Sequence, residues 1–204
     1  MSGTKQKILD VSLELFSQNG YSAVSIRDIC KKVGIKESSV YYHVKNKRSI
    51  LEELLDQFRE IASGMMANLE NSLTNAQDFS DKGYEAIRDS FFEKYLMDGF
   101  CNKVMRLMAI EQFNSEDIRK LYNHWLLEEP IRFQSQIFSV LMEYGAIPKA
   151  DSGYLAVKYY SPVYFYAQRW LFSGELTEEN KNSFRKEACK HMQVFFTELG
   201  GHNG

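Results

Sequence analysis

Apolar residues return every three or four positions along most of this chain, and no segment alternates apolar and polar one by one. Over Thr4–Gln18, Ile8, Val11 and Leu15 form one row and Leu9, Leu13 and Phe16 its neighbour, a stripe wide enough for a core-facing helix. Asn19-Gly20 ends it and Tyr21 closes the loop. Ile26, Ile29, Cys30 and Val33 mark a short second helix, stopped by Gly34, because glycine enters the left-handed conformation without steric cost. Ile35 is an apolar plug before a third segment, Glu37–Val44, held down only by Val40 and Val44. From Asn46 a long rod begins, with Ile50, Leu51, Leu54, Leu55, Phe58, Ile61, Ala62 and Met65 on its inner side.

The polar run Asn75–Lys82 reads as a loop, with Ser80 or Asp81 capping a helix whose face is Ala86, Ile87, Phe91, Tyr95 and Leu96 and which ends at Asp98-Gly99. Phe100–Asn114 is short, apolar and rich in methionine; Ser115-Glu116-Asp117 then opens a helix with acids at its positive dipole end. Pro130 predicts a kink or break near Glu128–Pro130, since proline removes an amide donor and clashes with the preceding turn. Helix should resume to about Tyr144, run again from an Asp151-Ser152 cap to Phe172 with a bend near Pro162, and end in a last helix from Thr177 to Leu199. Gly200–Gly204 should fray. The expectation is an all-α fold of about nine helices.

Candidate chemistry concentrates in Ser25–Lys47. Ser25 suits an N-cap, with Asp28 reaching back in the manner of a capping box. Apart from its two valines, the segment Glu37–Val44 carries only Ser, Tyr, His and charged residues. That composition suits a surface that reaches phosphates and base edges. Two short helices joined by a tight turn can place the start of the second in a DNA major groove. Asn46 can cap the rod that follows, leaving Lys47 and Arg48 at its positive end to meet a phosphate.

Gly34-Ile35, then Ser39-Val40-Tyr41-Tyr42-His43-Val44-Lys45-Asn46-Lys47, preceded by Phe16, Gly20-Tyr21 and Ser25-Ile26-Arg27-Asp28-Ile29, resembles the DNA-binding domain of the TetR family of transcriptional regulators. The resemblance covers residues 5 to 50. It implies an N-terminal three-helix helix-turn-helix domain, residues 1–48, joined by a long helix to a helical effector-binding and dimerisation domain, residues 49–204. It implies phosphate contacts from Ser25, Ser39, Tyr41, His43 and Lys47, and base reading by Arg27, Glu37, Ser38 and Tyr42. Lys36 departs from the family's usual capping Ser or Thr, which leaves the cap of the reader helix open and can add a phosphate contact instead. Arg27 and Glu37 also suit plain solvated surface charges.

Net charge is −2, but its distribution is lopsided. Residues 1–50 hold nine Lys/Arg and four acids, a net of +5, which leaves −7 for the rest. A basic head on an acidic body suits a protein that touches phosphate at one end. Cys30, Cys101 and Cys189 are odd in number and far apart, as expected of free thiols in a reducing cytoplasm. No run approaches the roughly 20 apolar residues of a membrane helix, and MSGTKQKILD lacks a signal-peptide block, so a cytoplasmic location is expected. No phosphate-loop, nucleophile or metal-ligand spacing occurs, so neither an enzyme nor a cofactor is expected.

Residues 80 to 172 are dense in aromatics and methionines. Most suit a core, but a helical body with so many amphipathic rings can also line a cavity, and the resemblance implies such a cavity. Tyr95, Met105, Met108, Trp125 and Tyr159 are candidate walls, and Glu111, Gln112, Asn123 and His124 candidate polar contacts, for a small apolar or aromatic effector. Tyr159 to Tyr166 is apolar nearly all round, so Tyr160, Tyr164 and Phe165, with Phe195 and Phe196 of the last helix, are candidates for a homodimer interface. The expected function is a homodimeric repressor that releases a double-stranded DNA operator when its effector binds. The alternative is a helix-turn-helix DNA binder without a small-molecule effector, recognisable by a body filled with side chains.

Overall fold

The computed structural model describes residues 3–75 and 81–200, the side chains of 72–75 and 81–84 excepted. Among them no strand occurs. The helices are α1 Gly3–Asn19, α2 Ile26–Val33, α3 Glu37–Val40, α4 Lys47–Asn75, α5 Asp81–Phe91, α6 Gly99–Glu111, α7 Glu116–Asn123, α8 Glu129–Glu143, α9 Ser152–Ala167 and α10 Glu178–Gly200. Three π-helical segments continue them: π1 Phe92–Leu96 after α5, π2 His124–Glu128 between α7 and α8, and π3 Gln168–Phe172 after α9. Most of the loop expected over 75–82, Ser80 and the side chain of Asp81 lie outside what is described, as does the tail beyond Gly200.

Two compact units emerge, one of the residues up to Ser63 with Lys103–Tyr122, the other of Gly64–Asn102 with Asn123 onward. The division expected between residues 48 and 49 concerns what the parts do, and α4 runs through that point unbroken.

In the first unit, Ile8, Leu9 and Phe16 of α1, Ile29 of α2, Val40 of α3, and Ile50, Leu54 and Phe58 of α4 make a core with no more than a trace of exposure. Gly20 and Gly34 take φ of +81° and +83°, ending α1 and α2 in the left-handed conformation. Lys7 Nζ donates to the Val33 carbonyl at 2.9 Å, serving the same C-terminal end of α2. Lys103 of α6 pairs with Glu14 of α1 at 2.5 Å and holds that carboxyl below its usual range.

The second unit packs Phe92, Tyr95, Phe138, Tyr159, Leu171, Phe184 and Phe195 together. Its three π segments leave backbone carbonyls outside the regular ladder, and buried side chains serve them. Tyr95 donates its hydroxyl to the Trp125 carbonyl at 2.9 Å. Asn102 donates its amide to Leu96 of π1 at 3.2 Å and to Leu171 of π3 at 3.1 Å. Pro130 has no amide hydrogen to offer Leu126, four residues back. The Tyr160 hydroxyl donates there instead, at 2.9 Å. The break expected near Glu128–Pro130 is thus a π segment that passes into α8 without a loop.

Candidate nucleic-acid interface

The reader segment starts from a well-made platform. Ser25 caps α2, accepting from the Asp28 amide at 3.2 Å, while Asp28 accepts from the Ser25 amide at 2.8 Å. The Ser25 hydroxyl, and after it the Ser25 amide, hold the Asp28 carboxyl below its usual range. The Ser25 hydroxyl also faces Asp28 Oδ2 at 2.5 Å, so it is engaged within its own cap.

The reader helix is shorter than its apolar spacing predicts. Regular helix covers Glu37–Val40, and Tyr41–His43 form a turn in place of the helix expected to Val44. Lys36 at the N-cap position makes no side-chain cap bond. At the other end the His43 amide bonds three residues back, to Val40, at 2.9 Å, which tightens the last turn. Val40 and Val44 are buried and hold the segment to the core.

That anchoring turns the remaining side chains outward. Tyr42 is 88% exposed and Tyr41 57%; Lys36, Glu37 and Ser38 are exposed, and Ser39 and His43 half-buried. Arg27 of α2 donates its Nε to Glu37 Oε1 of α3 at 2.8 Å, which raises the guanidinium's pKa. Two of the four candidate base readers therefore form one side-chain unit across the turn.

Lys47, at the start of α4, is placed differently from its neighbours. Its ammonium donates to the carbonyls of Tyr21 at 2.9 Å and Val24 at 2.8 Å and stands 4.1 Å from the Tyr21 ring centre. It ties the α1–α2 connection to α4. Asn46 caps α4, accepting from the Ser49 amide at 2.8 Å.

The candidate effector residues are dispersed. Met105, Met108 and Glu111 are buried in the first unit, with Gln112 half-buried there; Glu111 accepts from the Ser22 amide at 3.4 Å. Tyr95, Trp125 and Tyr159 are buried in the second unit, where Asn123 and His124 are half-buried. Of the nine, Tyr159 alone lines the second unit's apolar cavity, a space of about 40 Å³ among the described residues. Gln134, another wall of that cavity, has no mark in the sequence: it stands amid an ordinary apolar helix face. Of the candidate dimer residues, Phe165 is 58% exposed, Tyr164 and Phe196 are half-buried, and Tyr160 and Phe195 are buried in their own chain.

The same head is found in known proteins. A family model described as bacterial regulatory proteins, tetR family, matches residues 8–54. The biofilm operon icaADBC HTH-type negative transcriptional regulator IcaR of Staphylococcus aureus (strain Newman) is 47% identical over 201 residues, spanning 94% of this chain and 98% of that protein. Among solved structures, the fatty acid degradation regulator FadR from Bacillus halodurans shares the fold at a TM-score of 0.62 and 15% identity, covering 100% of this chain and 98% of that one. The SmeT–triclosan complex does so at 0.64 and 18% identity, covering 95% and 91%. No helix among the described residues is long and apolar enough to cross a membrane. With its capped platform, outward-facing reader turn and whole-length likeness to a negative transcriptional regulator, this chain belongs to the TetR family of DNA-binding transcriptional regulators.

Proposed function

We propose that this protein is a homodimeric repressor of a biofilm operon, and that a small apolar or aromatic molecule bound in its second unit releases it from DNA. The carrying observation is the Tyr41–Tyr42 turn, held by two buried valines and flanked by the Arg27–Glu37 unit. Hydroxyls at Ser39 and Tyr41 and the His43 imidazole suit phosphate; Tyr42, Ser38 and the Arg27–Glu37 pair suit base edges. Lys36 and Lys47 add positive charge on either side. Likeness to the icaADBC regulator supports the operon, and the triclosan complex of a fold relative supports an aromatic effector.

Helix α4 begins beside the reader segment and contributes to both units, so a ligand that favours a different arrangement of the second unit bears on the head. DNA affinity falls by the ligand's differential affinity for the two states, about 1–3 kcal/mol in typical coupled systems. The test is a gel-shift titration at fixed salt with an icaADBC promoter fragment and a scrambled duplex, without and with triclosan as probe. Equal affinity for both duplexes would remove the operon assignment.

A second reading is favoured by one observation. A cavity of about 40 Å³ is far below the 300–1,000 Å³ of ordinary ligand pockets. An apolar cavity so small suits a DNA binder without an effector, whose operator complex would be indifferent to triclosan and to every other apolar probe.

A further inference from the structure

The second unit's small cavity has one wall that does not belong with the rest. Phe91, Phe133, Ile137, Tyr159, Val163 and Met192 give it an apolar lining from α5, α8, α9 and α10. Gln134 stands among them, 8% exposed, and its Nε2 has no hydrogen-bond partner among the described residues. The cavity's other polar side chains are occupied. Tyr160 donates its hydroxyl to the Leu126 carbonyl, and the Arg88 guanidinium donates to Asp89 at 2.8 Å beside Glu85. An unpaired buried amide is unfavourable, and a leucine of similar size would fill the place without that cost.

We propose that Gln134 is the specificity-determining residue of the effector site, donating its amide hydrogen to a carbonyl oxygen on an otherwise apolar, uncharged small molecule. This deepens the effector reading above and rests on it. An uncharged ligand follows from the pairing of Arg88 with acids, which leaves no unbalanced cation at the wall. Its size is not set by the cavity's present volume. At roughly 10–15 Å³ of such space per water molecule, 40 Å³ holds about three waters, so the ligand enters by displacing walls. Met192 is unbranched and adaptable, which suits it to yield.

The experiment uses the full chain and two probes of nearly the same shape, acetophenone and ethylbenzene, which differ in one carbonyl oxygen. Binding is followed by calorimetry and by thermal shift, and operator release by gel shift. In the natural protein acetophenone should bind at least tenfold more tightly than ethylbenzene. Gln134→Leu should reduce that preference to within twofold, with a ligand-free Tm equal to or above the original; Gln134→Met should behave alike. A lower Tm in both variants with the probe preference unchanged overturns the inference, because the amide then serves an internal partner such as a buried water. Equal binding of both probes to the natural protein, or binding of neither, overturns it as well. The two readings separate on DNA: acetophenone bound through Gln134 with the operator retained upholds the site and removes the effector role. Release by acetophenone that is identical in the natural protein and Gln134→Leu upholds the effector role and removes this one.

Discussion

Tyr42 and Lys47 lie five positions apart, and the resemblance gives both a role at DNA, yet their surroundings differ completely. Tyr42 is 88% exposed and its ring contributes almost nothing to the fold. Tyr42→Ala should therefore leave the Tm nearly unchanged, as surface substitutions do, within about 0.5 kcal/mol. Operator affinity should fall by roughly 5- to 150-fold, the range for losing a contact worth about 1–3 kcal/mol. Lys47 has two backbone carbonyls and a ring around its ammonium. Hydrogen bonds to a charged group contribute about 1.5–3 kcal/mol, so Lys47→Met should lower unfolding free energy by that order. If its main task is this tie, the slope of log affinity against log salt stays as it was; loss of a phosphate contact lowers that slope by about one. Urea unfolding and salt-dependent gel shifts on the two variants measure both effects.

At the scale of elements, the second unit is pinned where its helices widen into π segments. Asn102 serves carbonyls of two such segments, Leu96 and Leu171, from a site only 1% exposed. Asn102→Leu leaves both carbonyls buried without that donor, at about 1–3 kcal/mol each, so a loss of about 3 kcal/mol is expected in urea unfolding. Tyr160→Phe orphans a single carbonyl and should cost less than half as much. In the first unit, two glycines share a backbone conformation but not surroundings. A Cβ on Gly34 meets nothing within 4 Å, whereas one on Gly20 meets Glu111 Oε1 at 2.8 Å and Ile110 Cγ2 at 3.0 Å. Gly34→Ala should cost about 1–2 kcal/mol for its left-handed backbone alone. Gly20→Ala should cost more, and a Glu111→Ala background should recover part of the difference in a double-mutant cycle.

These elements also mark what the sequence could and could not tell. The caps at Ser25, Asn46 and Asp151 and the stops at Gly20 and Gly34 were legible because each depends on a few adjacent residues and on local backbone chemistry. The π segments were not. They depend on carbonyl donors such as Asn102, which reaches Leu171 across 69 residues, and apolar spacing carries no trace of such a bond. The short reader helix escaped for a related reason. Val40 and Val44 hold helical spacing, but the tightened turn between them follows from a bond at His43 that no periodicity records. Cavity walls were the least legible, since Gln134 and Tyr95 sit on similar helix faces and only packing separates a lining side chain from a filling one.

At the scale of the whole molecule, the proposed dimer rests on what the last long helices leave uncovered. Tyr154, Val157 and Phe165 on α9 and Val194 on α10 are apolar yet 66%, 44%, 58% and 48% exposed. On α9 the exposed positions 154, 157, 158, 161 and 165 lie on one helix face, with Ser161 and Lys158, which pairs with Glu198 of α10 at 3.5 Å, as its polar members. A two-fold pairing presents the same patch from both copies, and two such faces bury one another without any new chemistry. DNA binding amplifies the consequence. Two heads joined in one particle engage successive half-sites with an advantage of about 10²–10⁴ over separate heads, through effective concentration alone. Phe165→Glu places a charge at the C-terminal end of that face, remote in sequence from the head. It should convert the particle to a monomer in sedimentation velocity while preserving its helical spectrum, and weaken binding to a two-half-site operator by about 10²-fold or more. Binding to an isolated half-site should not change. A variant that stays dimeric, or that loses half-site binding equally, would show that the α9 face serves something other than pairing.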